Sequence, residues 1–154
     1  MGTTFVCGGL GDGFWIKDSM LELWLRFASM HIADSVEDQS ISHRIRNEWL
    51  LASRGYFNGC VPLSLDENIS TLEGKQAVLH AVNSLLTSLR QAPRLLDRGV
   101  VNLMGMSSEF VGDVETWRLI EVSEAFVDLI NGKPFGNAAT SLAMPGSGPS
   151  YPDQ

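Results

Sequence analysis

The chain has 154 residues, of which 44% are apolar, enough for one well-filled core and too few for two ordinary domains. Its formal charge of −7 disfavours direct binding to nucleic acid or to an anionic membrane surface, because both kinds of partner need clustered Lys and Arg. A basic protein partner is compatible with this charge, since opposite charges accelerate encounter.

The first 17 residues are glycine-rich, and their spacing fits neither glycine motif of nucleotide-binding loops. We expect residues 1–17 to form a flexible arm, with a short strand near Thr4 to Cys7 and with Phe14 and Trp15 docked on the body. No secretory signal and no apolar run long enough to span a bilayer is present, so we expect a cytoplasmic protein. In that compartment Cys7 and Cys60 are expected to be free thiols, although one disulfide stays possible.

Apolar residues recur at helical spacing in four stretches, which predicts an all-α fold, a single-domain bundle of four main helices. The predicted helices are Asp18–Ala33, Val36–Arg54, Thr71–Gln91 and Asp113–Ile130, within a helical domain of residues 18–133. Two Ser-x-x-Glu pairs, Ser19 with Glu22 and Ser70 with Glu73, are typical of capping boxes at helix starts.

The helix near Thr71–Gln91 is long enough to organise the fold, because about 20 helical residues span roughly 30 Å. Four of its residues are expected to point inward: Leu79, Val82, Leu86 and Leu89. After Pro93 the sequence RLLDRG predicts one or two further helical turns that end at Gly99. We expect residues 134–154 to form a flexible tail. Since residues 136–154 carry little apolar surface, their removal should leave the unfolding temperature almost unchanged.

Catalytic and metal sites find little support in the sequence. The three histidines lie on different predicted helices, and no zinc or serine-hydrolase spacing is present. We therefore predict no catalytic residues, no metal and no cofactor, although a Cys–His pair formed only in the fold stays open.

Acidic residues give the most suggestive pattern. Four carboxylates have spacings that can align along one side of the last helix, with Trp117 on the same stripe: Asp113, Glu121, Glu124 and Asp128. This pattern indicates either a docking face for a basic partner or an ordinary solvated helix face. The apolar loop that contains Tyr56 and Phe57 is either pinned to the core or a second binding surface.

Its size, its lack of catalytic motifs and acidic amphipathic segments such as DVETWRLIEVSEAFVDLINGK make the chain resemble immunity proteins. These are small, acidic, helical bacterial proteins made beside polymorphic or type VI secretion toxins. The resemblance implies a cytoplasmic protein that binds and inhibits a cognate toxin, for example a basic nuclease. Two alternatives stay open: a small helical ligand-binding domain or enzyme, and an adaptor that self-associates, for example as a homodimer.

Overall fold

The computed structural model describes residues 2–32, 40–55, 61–107 and 109–148, which form six helices and four short strands. In chain order these are β1 (Thr3–Cys7), β2 (Gly13–Lys17), α1 (Asp18–Met30), α2 (Ile41–Ala52), α3 (Leu65–Asn68), α4 (Leu72–Gln91), β3 (Leu95–Leu96), α5 (Arg98–Asn102), β4 (Val114–Glu115) and α6 (Thr116–Ile130). About half of the described residues are helical, and the strands form two antiparallel sheets of two strands each. The predicted all-α four-helix bundle is therefore wrong, because the fold mixes helices with two small sheets.

The N-terminal residues form a β-hairpin instead of the predicted flexible arm. Strands β1 and β2 pair so that Val6 lies opposite Phe14. The turn between them uses Gly9 and Gly11, whose positive φ angles of 124° and 77° suit glycine. Val6, Phe14 and Ile16 are fully buried, so the alternation of the two strands delivers one apolar face to the core.

An aromatic cluster lies where α1, α2 and α6 meet. The Trp24 ring stacks on Phe126 with centroids 3.9 Å apart and lies 5.7 Å from Trp49. The Trp24 Nε1–H donates to Ser123 Oγ at 2.8 Å, which satisfies the polar edge of a fully buried indole. Helix α1 packs against α2, α4 and α6, as its nearly all-round apolar surface predicts. No helix among the described residues is both long and apolar enough to cross a membrane.

Helix α4 matches its predicted span to within one residue. Val82, Leu86 and Leu89 are buried as predicted, whereas Leu79 is only half-buried. The remaining buried apolar positions of α4 are Val78, Ala81 and Leu85.

Both predicted capping boxes are wrong. The Thr71 Oγ1 atom caps α4 by accepting from Gly74 N at 3.1 Å, while Ser70 Oγ donates to the Glu67 carbonyl instead. Helix α1 has no side-chain cap, because β2 runs directly into it and Lys17 takes the cap position. Ser19 and Glu22 thus lie inside the helix.

The segment after Pro93 also departs from the prediction of one or two helical turns closed at Gly99. Strand β3 pairs with β4, and α5 begins after Asp97, whose Oδ1 accepts from Val100 N at 3.0 Å. Helix α6 starts at Thr116, later than predicted, because the two residues before it belong to β4. It ends as predicted at Ile130, and Gly132 follows with a positive φ of 88°.

Residues 134–148, here called the C-terminal segment, pack along β2. Gly13 N donates to the Gly136 carbonyl at 2.9 Å and Trp15 N to the Ala143 carbonyl at 3.2 Å, while the Trp15 indole donates to the Ala138 carbonyl at 2.9 Å. The predicted flexible tail is therefore wrong for residues 134–148. Backbone hydrogen bonds order them where apolar area is scarce.

Candidate functional site

Three of the four predicted acidic residues lie on α6, and the fourth lies near the start of that helix. Glu121, Glu124 and Asp128 are spaced three, four and seven residues apart, so they share one side of α6. Asp113 precedes β4 and is exposed near the start of the same helix. We call these four residues the acidic face.

Every carboxylate of the acidic face already has one partner within the chain. Glu124 lies 3.4 Å from Arg90, and Asp128 lies 3.3 Å from Lys133. Glu121 accepts from Gly146 N at 3.0 Å, and Asp113 accepts from the Arg98 backbone N–H at 2.9 Å. The face is therefore partly neutralised, yet the side chains of Glu124 and Asp128 stay 52% and 45% exposed.

Trp117, which the sequence places on the same stripe as the acidic residues, is half-buried at the junction of α6 with the C-terminal segment. Its Nε1–H donates to Glu115 Oε2 at 2.9 Å, and the Arg118 guanidinium lies 4.7 Å from its ring centroid. Arg118 Nη1 in turn donates to the carbonyls of Gly146 and Gly148 at 2.8 and 2.9 Å. Arg118 thus fastens the segment to the helix, and the Trp117 ring packs against its guanidinium.

A groove of about 370 Å³ opens beside this junction. We call it the Arg118 groove, and its walls are Lys17, Ser19, Met20, residues 110–115, Arg118 and residues 146–148. Ser147 Oγ is buried there without a hydrogen-bond partner among the described residues. The size and mixed polarity of this groove are those of a small-ligand site.

Glu22 is a buried acid that the sequence pattern assigned to a capping box. It is 5% exposed, and Ser107 Oγ donates to its two carboxylate oxygens at 3.0 and 3.2 Å. Burial raises the pKa of Glu22 and the nearby Asp18 charge adds to this, while the Ser107 hydrogen bond acts in the opposite direction. The signal available in the sequence was a single acid inside the apolar run from Met20 to Leu25.

Gly55 makes room for the Glu22 carboxylate. Its φ is 71°, and a Cβ at this position would clash with Glu22 Oε1. A larger residue would therefore push against a buried charge as well as strain the backbone.

The histidines have separate partners. His31 Nδ1 lies 2.9 Å from Ser84 Oγ, and burial lowers the pKa of this imidazole. His43 Nε2 lies 2.9 Å from the Asn47 side-chain nitrogen, and His80 is exposed on α4. Among the described residues, no group of three or more His, Cys, Asp or Glu could hold a metal ion. Cys7 is a free thiol.

Tyr56 and Phe57, the second predicted binding surface, lie outside the described residues, as does Cys60. The end of the same loop is pinned to the core. Val61 N donates to Thr4 Oγ1 at 2.9 Å, and the Leu63 carbonyl accepts from Trp49 Nε1 at 3.0 Å.

Comparison with protein-family models, with curated proteins and with solved structures finds no match to this chain. What the protein does must therefore be inferred from the charges and contacts of its own residues.

Proposed function

We propose that this protein is an immunity-type inhibitor that binds a basic toxin in the cytoplasm through its acidic face. The observation that supports this most directly is the line of Glu121, Glu124 and Asp128 on α6, in a chain whose net charge is −7. A line of carboxylates on a rigid helix presents its charges at fixed positions to an approaching cationic surface.

The internal partners of these carboxylates do not prevent docking. The pairs of Glu124 with Arg90 and of Asp128 with Lys133 are exposed, and such pairs contribute about 0–1 kcal/mol. A Lys or Arg of the toxin can replace Arg90 or Lys133 at little cost. Trp117 lies beside the acidic face, and its position there is fixed because its indole N–H donates to Glu115.

The test compares two variants with the same change in net charge. Glu124→Gln with Asp128→Asn removes two of the four charges of the acidic face, and Asp66→Asn with Glu67→Gln removes two exposed charges of α3 as the matched control. The partner to use is the product of the neighbouring reading frame, if it encodes a toxin. We expect the first variant alone to associate roughly threefold to tenfold more slowly at low salt, because steering depends on the local field.

Rising ionic strength should shrink that difference, since the Debye length falls to about 10 Å at 0.1 M salt. Equal association rates for parent, acidic-face variant and control at low salt would show that the partner docks elsewhere. A parent protein that neither binds nor inhibits the toxin would contradict the proposed function itself.

A small-ligand function is the second candidate, and the observation that favours it is the Arg118 groove, where the Ser147 hydroxyl is buried without a hydrogen-bond partner among the described residues. Native mass spectrometry of the protein from its own host would show a bound small molecule. Ser19→Phe, which fills the groove, should abolish that added mass. A parent protein that carries no added mass would count against this candidate.

A further inference from the structure

The two long edges of the N-terminal hairpin differ in what covers them. Trp15 N and Gly13 N donate to carbonyls of the C-terminal segment, so these amides point away from β1. Their opposite residues in the register are Phe5 and Cys7. Because donor direction alternates along an antiparallel pair, Thr4 and Val6 make the ladder with β2. Thr3, Phe5 and Cys7 therefore direct their backbone N–H and C=O groups away from β2.

The outer edge of β2 is covered, whereas that of β1 has no backbone partner among the described residues. Residues 136 and 143 accept from β2, which gives this strand a neighbour on each side. Across the described ranges of the chain, no residue makes a backbone hydrogen bond to the outward groups of Phe5 or Cys7. An open strand edge is a template for another strand.

The sequence of β1 contains none of the features that protect an edge. Its five residues, TTFVC, include no charge and no proline, and Thr, Phe and Val favour extended backbone. Thr3 is exposed and Phe5 is half-buried. The Phe5 ring packs on Trp15 with centroids 5.4 Å apart, so an aromatic pair flanks the edge.

We propose that the β1 edge receives an extended segment of the basic partner as a third strand of the hairpin. The backbone groups of Thr3, Phe5 and Cys7 would supply its hydrogen bonds, and the Phe5–Trp15 pair would contact its side chains. The inference depends on the proposed function and names the kind of segment that the partner presents. A second copy of the chain fits less well, because each copy carries a charge of −7 and like charges oppose encounter.

Hydrogen exchange followed by NMR tests the edge directly. In the free protein we expect fast exchange at Phe5 and Cys7 and slow exchange at Thr4 and Val6, whose amides already bond to β2. The probe is a synthetic peptide of alternating Val and Thr between pairs of Lys. Its control is the same peptide with every central amide N-methylated.

The unmethylated peptide should slow exchange at Phe5 and Cys7 by about tenfold or more at saturation, and the methylated peptide should not. Unchanged exchange at these two amides, or slowing confined to another surface, would overturn the proposal. Slow exchange without peptide that depends on protein concentration would also overturn it, in favour of a second copy.

Two matched substitutions test whether the β1 edge binds an extended segment. Cys7→Pro removes an outward amide without touching the ladder to β2, while Cys7→Ala removes the same thiol and keeps the amide. We expect Cys7→Pro to weaken peptide binding by about tenfold and Cys7→Ala to leave it unchanged. If Cys7→Pro fails to fold, Thr3→Pro makes the same deletion at the first residue of the strand, where proline is tolerated.

The same variants separate this inference from the proposed function. If the parent inhibits the toxin and Cys7→Pro and Thr3→Pro inhibit it equally well, the edge proposal fails while the proposed function stands. If the parent does not inhibit the toxin, the proposed function fails, and the peptide titration still decides whether the edge accepts a strand.

Discussion

Helix α4 and the C-terminal segment are both ordered, but they are ordered by different interactions. Helix α4 buries an apolar stripe of its own, with Val78, Val82 and Leu85 at most 1% exposed. The C-terminal segment buries few large side chains and is held through backbone carbonyls that accept from Gly13, Trp15 and Arg118. The helix needs only a surface to pack on, whereas the segment needs particular donors at particular places.

The difference teaches that a segment with little apolar area can be ordered by hydrogen-bond donors that are distant in the sequence. The Trp15 indole lies 123 residues from the carbonyl that accepts from it. Asp12 also joins the hairpin turn to the C-terminal segment, because its carboxylate accepts from the backbone N–H groups of Phe135 and Gly136 at 2.7 to 3.2 Å.

The largest expected effect tests the α4 side of the comparison. Leu85→Ala should lower the free energy of unfolding by about 2–5 kcal/mol, because Leu85 is 1% exposed within the main core cluster. Chemical denaturation measures this loss. Leu72→Ala on the same helix is the control, since Leu72 is 72% exposed and should change stability by less than about 0.5 kcal/mol. Equal losses of stability in the two variants would mean that the buried face of α4 contributes no more to stability than its exposed face.

The next effect tests the C-terminal segment. Removal of residues 136–154 should cost about 2–3 kcal/mol, because several hydrogen bonds worth about 0.5–1.5 kcal/mol each are lost while some ordering entropy is regained. For a chain of this length we expect the unfolding midpoint to fall by roughly 5–10 °C. Removal of residues 149–154 alone keeps every described hydrogen bond of the segment and serves as the control. An unchanged midpoint after the longer deletion would support the expectation from composition instead.

The same contrast explains which features the sequence could predict. The four main helices were predictable because their apolar residues repeat along the chain at a local period, as in Ile45, Trp49 and Ala52 of α2. The strand near Thr4 to Cys7 and the docking of Phe14 were predicted and are confirmed. The pairing of β1 with β2 and the order of the C-terminal segment were not predicted, because glycine and proline content indicates local flexibility and carries no information about a distant acceptor.

The candidate site likewise has features that the sequence could predict and features that it could not. The helical period placed Glu121, Glu124 and Asp128 on one side of α6, as expected from spacing alone. Their partners could not be predicted, since Arg90 and Gly146 lie far away in sequence. The hydrogen bond from Arg118 to the Gly148 carbonyl likewise depends on the path of the C-terminal segment.

The smallest expected effect concerns Glu22, whose position depends both on a local sequence pattern and on a distant hydrogen-bond partner. Its helix follows a local apolar pattern, but the hydroxyl that satisfies its carboxylate belongs to Ser107. The pKa of Glu22 is raised in the folded state, chiefly by burial. Between the unfolded and the folded pKa the folded protein binds more protons, so the free energy of unfolding falls as the pH rises through this interval.

Glu22→Gln should therefore be slightly more stable than the parent at neutral pH, because a neutral amide avoids the cost of a buried charge and can still accept from Ser107. Below about pH 4 both the folded and the unfolded parent are protonated at this position, so the gain should vanish. Thermal unfolding at the two pH values measures it, with Glu109→Gln at an exposed site as the control. A gain of the same size at both pH values would assign the effect to packing around Gly55. A gain confined to neutral pH would show that the buried charge of Glu22 lowers the stability of the parent.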